Sequence, residues 1–114
     1  MRAKILNASA GSGKTYQLAY KYVRDVIDQP GLYRHILVTF TNKATEEMKS
    51  RILKEIHRLA SGGASPYLEN LCRELSLDER SVRKRAAEVR SKILHDYSRF
   101  TVLTIDTFFQ RILR

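Results

Sequence analysis

From Ala8 to Thr15 the chain reads Ala-Ser-Ala-Gly-Ser-Gly-Lys-Thr, a run of small residues closed by a lysine and a hydroxyl. The spacing G-x-x-x-x-G-K-[ST] makes a phosphate-binding loop. Gly13, Lys14 and Thr15 fill its last three positions, and Ala8 stands where the first glycine is usual. Each residue type has a physical reason. Small residues let backbone N–H groups close around a phosphate, and the helix that follows adds the positive end of its dipole. Ala8, Ser9, Ala10, Gly11 and Ser12 would build the wall, with the N–H groups of Ala10 to Lys14 turned to the anion. Lys14 would reach the β and γ phosphates, and the Thr15 hydroxyl would take a place on Mg²⁺.

Such a loop needs a strand to enter it and a helix to leave it, and both are legible. Ala3 to Leu6 reads as the strand and Lys14 to Asp28 as the helix. Leu18, Tyr22 and Val26, joined by Ala19, Val23 and Ile27, recur at three and four residues and form its apolar stripe. Pro30-Gly31 ends it. His35 to Phe40 is a continuous apolar run, as in a parallel strand covered on both faces. Asn42 is placed to cap the next helix, with Glu46 and Glu47 in the favoured first turn. Ala44, Met48, Ile52, Ile56 and Leu59 or Ala60 line one side of it, and Ser61-Gly62-Gly63 stops it. A short helix is expected near Tyr67 to Leu75. A longer one spans Asp78 to Tyr97, with Val82, Ala86, Val89, Ile93 and Tyr97 packed on the sheet and Arg80, Arg83, Lys84 and Arg90 towards solvent. A third strand, Phe100 to Ile105, leads into a helix starting near Asp106. The alternation of strand and helix predicts a parallel α/β sheet flanked by helices.

Composition sets bounds on this. At 114 residues the chain holds at most one domain, small for a complete motor enzyme. Twenty-one Lys and Arg against twelve Asp and Glu give a formal charge of +9, spread over both halves. That excess suits a polyanion such as nucleic acid, though a solvated basic surface would look the same. One cysteine, Cys72, excludes a disulfide framework and a cysteine zinc site, and the three histidines lack metal-ligand spacing. Met1 to Asn7 is neither a signal peptide nor a membrane span, so a cytoplasmic protein without membrane attachment is expected.

Three segments together carry a family resemblance. Thr39-Phe40-Thr41-Asn42-Lys43-Ala44, continued by Glu47-Met48 and Arg51-Ile52, closely resembles motif Ia of the UvrD/RecB-like superfamily 1 helicases. Leu103 to Arg114 is similar to their motif Ib, with Asp106 where the family usually has histidine. The opening Asn-Ala-Ser-Ala-Gly-Ser-Gly-Lys-Thr looks most like the RecB and AddA branch of helicase–nucleases. The match runs from Ile5 to Arg114, with residues 61–97 as a helical segment that fits poorly.

The resemblance implies a RecA-like P-loop NTPase domain, present here in part, with ATP and Mg²⁺ as its cofactors. It implies contact with single-stranded DNA by Thr39, Phe40, Thr41, Asn42 and Lys43, and by Thr104 and Thr107 from motif Ib. The chemistry agrees: an aromatic ring at a strand end can stack on a base, while hydroxyl, amide and ammonium groups serve the backbone. The family's acidic D-E-x-x motif, arginine fingers and second RecA-like domain have no counterparts here. The chain is thus expected to be the ATP-binding and DNA-binding fragment of a DNA helicase or helicase–nuclease, inactive alone and partnered by the second RecA-like domain and any nuclease domain.

Two other readings compete. In a small P-loop kinase or NTPase, Thr101 to Asp106 would be a Walker B strand with Asp106 steering Mg²⁺, but that leaves motif Ia unexplained. A basic adaptor that ignores nucleotide would make the phosphate loop vestigial. Phe108, Phe109, Ile112 and Leu113 need burial, and self-association through them is one way to find it.

Overall fold

In a computed structural model, residues 3–5, 13–31, 36–39, 41–97 and 102–113 are described, with backbone only for 3–5, 13–15 and 36. The elements are β1 (Ala3–Ile5), α1 (Gly13–Asp28), β2 (Ile36–Thr39), α2 (Asn42–Ala60), α3 (Leu68–Leu75), α4 (Glu79–His95), β3 (Val102–Thr104) and α5 (Ile105–Ile112). The strands form a parallel sheet in the order β1-β2-β3. Ile5 pairs with Val38, and Thr39 pairs with Thr104.

Parallel strands added in one direction, with crossovers of the usual hand, put successive helices on the same side of the sheet. The packing agrees, since α1, α2 and α4 all touch one another. Leu37 and Val102 are paired in register and turn inwards together to meet that helical layer.

The core follows from helical spacing. On α1 it takes Ala19, Tyr22, Val23, Val26 and Ile27, and on α2 Ala44, Met48, Ile52, Ile56 and Leu59. On α4 it takes Val82, Ala86, Val89 and Ile93. Burying each of the larger aliphatic chains is worth roughly 1.5–3 kcal/mol. Leu18 is only partly buried, and Leu59 rather than Ala60 completes the α2 face.

Several expectations are corrected. The helix after β2 is capped by Thr41, not Asn42: Thr41 is extended and its hydroxyl accepts from the Ala44 N–H. Because α2 begins at Asn42, Glu46 and Glu47 fall in its second turn. The last helix begins at Ile105 and is capped by Thr104, with Asp106 exposed in its first turn. Tyr97 lies beyond the end of α4 and is about half exposed.

The long basic helix does not rest chiefly on the sheet. It lies against α2 and α1 and runs antiparallel to α2. Arg83 meets residues 58–63, Arg90 lies 3.3 Å from the His57 ring, and Lys49 stands over the Tyr97 ring at 5.0 Å. Its cations are used internally as well. Arg83 donates to the carbonyls of Leu59 and Gly63 at 3.1 and 3.0 Å, and Arg85 to those of Ile27 and Asp28 at 3.3 and 3.2 Å. Those carbonyls belong to the last turns of α2 and α1 and to the turn after α2, where intrahelical partners run out.

Gly62 completes that exit with φ +84°, a left-handed conformation that suits glycine. No helix among the described residues is long and apolar enough to cross a membrane.

Candidate functional site

All three strands end at the same edge of the sheet, because they are parallel. From that edge α2 begins three residues after β2 ends, and α5 begins at the residue after β3. Helix α1 begins eight residues after β1. Three helix N-termini therefore face one edge, the place where ligands of open α/β sheets bind. Free backbone N–H groups and aligned dipoles make that edge attractive to anions.

Gly13, Lys14 and Thr15 form the first turn of α1. Ala8, Ser9, Ala10, Gly11, Ser12 and the side chains of Lys14 and Thr15 lie outside the described residues, as does Phe40.

The motif after β2 divides into two groups. Thr39 is fully buried. Its hydroxyl stands 2.5 Å from that of Thr45 and 3.3 Å from the carbonyls of Leu103 and Thr41. It thus ties β2 to β3 and to the start of α2, and has no surface left for a ligand in this conformation. Thr41, Asn42 and Lys43 are exposed at the α2 N-terminus. The Thr41 hydroxyl is occupied with capping, while the Thr41 carbonyl accepts from the Thr45 hydroxyl at 3.0 Å. Asn42 and Lys43 are the groups in this stretch whose side chains stand open at the edge. Thr104 caps α5, with its hydroxyl 3.3 Å from the Thr107 N–H and 3.0 Å from the Thr107 hydroxyl.

The structure also reveals a cluster that motif reading missed. Glu55 of α2 is fully buried, between Arg51 at 3.3 Å and Arg58 at 3.5 Å, and accepts from the Ser65 hydroxyl at 3.2 Å. The Arg51 guanidinium also lies 5.5 Å from the ring centre of Tyr16. Tyr67, buried beside it, packs edge-on to Tyr16 and Tyr20 and donates to the Tyr16 carbonyl at 2.8 Å. Burial pushes the Tyr67 hydroxyl above the usual tyrosine range, the direction expected of a phenol kept as a donor. A signal for this cluster is present in the sequence: Glu55 is a charge within the apolar stripe of α2, with arginines four residues before and three after it.

Comparison with known proteins bears on the whole chain. Residues 2–114 match the model of the UvrD/REP helicase N-terminal domain. The RecB subunit of the RecBCD enzyme from Escherichia coli (strain K12) is 30% identical over 119 residues, covering 96% of this chain and 10% of that protein. An ATP-dependent helicase/nuclease polypeptide from Desulfitobacterium hafniense (strain DSM 10664 / DCB-2) is 38% identical over 77 residues, covering 64% of this chain and 6% of that one. The polypeptide of the same description from Lactococcus lactis subsp. cremoris (strain SK11) is 29% identical over 96% of this chain, and 8% of its own length is covered. The chain spans about a tenth or less of these curated relatives.

Proposed function

The chain belongs to the UvrD/REP helicase N-terminal domain family, and from that membership we propose that it is the ATP-binding and single-stranded-DNA-binding part of a DNA helicase or helicase–nuclease. The observation that carries this reading is the shared edge. The turn that opens α1 with Gly13-Lys14-Thr15, the α2 N-terminus with Asn42 and Lys43, and the α5 N-terminus with Thr107 all face it.

On this reading the sheet is part of a RecA-like domain. Ala8 to Thr15 would hold the triphosphate of ATP, with Lys14 as the point charge and the Thr15 hydroxyl on Mg²⁺. Bound Mg²⁺ would neutralise charge that develops between the β and γ phosphates. Asn42 and Lys43 would meet the DNA backbone and Phe40 a base, while Thr39 holds their segment in place from inside. Thr41, Thr104 and Thr107 would serve through the N-termini that their hydroxyls organise. The partners are single-stranded DNA and the remainder of the helicase, including a second RecA-like domain and, by analogy with the helicase/nuclease relatives, a nuclease domain. The apolar face of α5 favours self-association when that remainder is missing. Action on DNA fits a cytoplasmic location.

Titration with a fluorescent ATP analogue and with labelled single-stranded DNA tests the proposal. The parent chain is expected to bind both without turning ATP over, because an arginine finger alone is worth about 10³–10⁵ in rate. Lys14→Ala should remove nucleotide binding. Lys43→Ala should flatten the salt dependence, by about 0.7 in log–log slope for each phosphate that Lys43 neutralises. Phe40→Ala should weaken DNA binding at every salt concentration. Hydrolysis or phosphoryl transfer that disappears in Asp106→Asn would instead establish the kinase-like alternative, and nucleotide binding indifferent to Lys14 would end the phosphate-loop assignment.

A further inference from the structure

The buried cluster on α2 touches α1 at a telling place. Tyr16 is two residues beyond Lys14, in the first part of the helix that the phosphate loop opens. Two groups from elsewhere in the chain hold it. Tyr67, just before α3, donates its hydroxyl to the Tyr16 carbonyl at 2.8 Å, and the Arg51 guanidinium lies 5.5 Å from the Tyr16 ring centre.

Both groups are themselves fixed. Arg51 is paired with the buried Glu55 carboxylate at 3.3 Å, and Glu55 is held again by Arg58 and by Ser65, two residues before Tyr67. Ser65 also accepts from the Tyr67 N–H at 3.2 Å. The chain of contacts is therefore closed: Tyr16, Arg51, Glu55, Ser65, Tyr67 and back to Tyr16. A buried carboxylate is costly to maintain unless its partners are held in good geometry, which argues that this ring of contacts has one arrangement.

We propose that Arg51 and Tyr67 are positioning residues for the phosphate loop, holding the first turns of α1 in register with α2 and with the segment that leads into α3. This rests on the nucleotide-binding reading of Ala8 to Thr15. The N–H groups that face a phosphate do so only if α1 starts at the right height and angle, and a shift of about 1 Å in such a site is enough to cost about 100-fold in function. Arg51 lies on the helix that also carries Asn42 and Lys43 at its N-terminus, so one contact relates the two candidate binding segments to each other.

The experiment uses the full 114-residue chain and titrates it with a fluorescent ATP analogue plus Mg²⁺. Measurements are made well below the melting temperature of every variant, with circular dichroism confirming that each is folded. Tyr67→Phe removes one hydrogen bond and keeps the ring. Arg51→Met is made together with Glu55→Gln, so that no buried charge is left unpaired, and Arg51→Lys is the conservative rescue.

Tyr67→Phe is expected to weaken nucleotide binding about three- to tenfold and the Arg51→Met/Glu55→Gln pair by at least as much. Arg51→Lys should retain most of the parent affinity. Variants that melt at lower temperature but bind the nucleotide as tightly as the parent would overturn the proposal and leave the cluster a purely structural one. Lys14→Ala separates the two levels. Parent binding that depends on Lys14 but ignores Arg51 and Tyr67 overturns the positioning role alone, whereas parent binding that ignores Lys14 overturns the phosphate-loop reading and this role with it.

Discussion

Thr41 and Asn42 stand side by side at the start of α2, and only Thr41 is committed to the fold. Its hydroxyl accepts from the Ala44 N–H, which would otherwise be one of the unpaired donors of a helix start. Thr41→Ala is therefore expected to destabilise the chain by about 1 kcal/mol, read as a lower midpoint in urea unfolding. Asn42→Ala should leave that midpoint nearly unchanged and weaken binding of single-stranded DNA instead.

Charge gives a second residue-scale expectation. Glu74 is held below the usual carboxylate range, first by its hydrogen bond from Arg24, and Asp78 is held below it by the Ser81 hydroxyl and N–H that it caps. A carboxyl whose folded pKa is depressed stabilises the fold above its unfolded value, and that contribution is lost as pH falls through the folded one. Melting temperature should thus fall as pH drops below the ordinary values of 4.5 for Glu74 and 3.8 for Asp78. The slope should be shallower in Glu74→Gln and Asp78→Asn.

At the scale of elements, α4 behaves as a brace rather than as a basic outer face. Arg83 and Arg85 hold the last carbonyls of α2 and α1, and the Leu59 carbonyl lies about 26 Å along α2 from its N-terminus, 17 residues at 1.5 Å each. Hydrogen bonds from a charged donor are worth about 1.5–3 kcal/mol. Arg83→Ala should cost an amount in that range, measured by chemical denaturation, because Arg83 is mostly covered and has three carbonyls within reach. Lys84→Ala, between the two and exposed, should cost close to nothing. The distinction matters for DNA-binding experiments. Reversing charge at Arg80 and Lys84 tests for non-specific polyanion attraction, whereas reversing it at Arg83 or Arg85 would first disturb the fold.

At the scale of the whole molecule, α5 and the residue after it carry an exposed apolar surface among the described residues. Phe109 and Ile112 are each 51% exposed, Leu113 just past the helix is 82% exposed, and no residue of α5 is buried. Apolar side chains gathered on one short helix are a contact surface in search of a partner. The isolated chain is expected to associate as its concentration rises, seen as a concentration-dependent weight-average mass in analytical ultracentrifugation. Phe109→Ser with Leu113→Ser should return it to monomer while keeping the helical circular dichroism signal.

Local order is written plainly in the residues. The three- and four-residue spacing on α1, α2 and α4, the continuous run that forms β2 and the Ser-Gly-Gly stop each depend on neighbours within a few positions. The element types match those expectations, and their ends differ by no more than a few residues. The phosphate-loop and motif Ia patterns are legible for the same reason, since their chemistry is carried by consecutive residues.

Tertiary structure alone decided what those residues touch. Which of Thr41 and Asn42 caps α2 depends on where the chain bends out of β2. The motif makes Thr39 a DNA contact, yet it is sealed by Leu103 and Thr45, residues that the register of β2 and β3 and the start of α2 bring beside it. Arg83 looks solvated in the sequence because the carbonyls it holds lie 20 to 25 residues away. Glu55 meets Arg51 and Arg58 on its own helix, but reaches Ser65, and through Tyr67 the start of α1, only once the residues before α3 have folded back over α1 and α2. Periodicity specifies which side of an element is apolar, but pairing between distant polar groups exists only after the elements have packed.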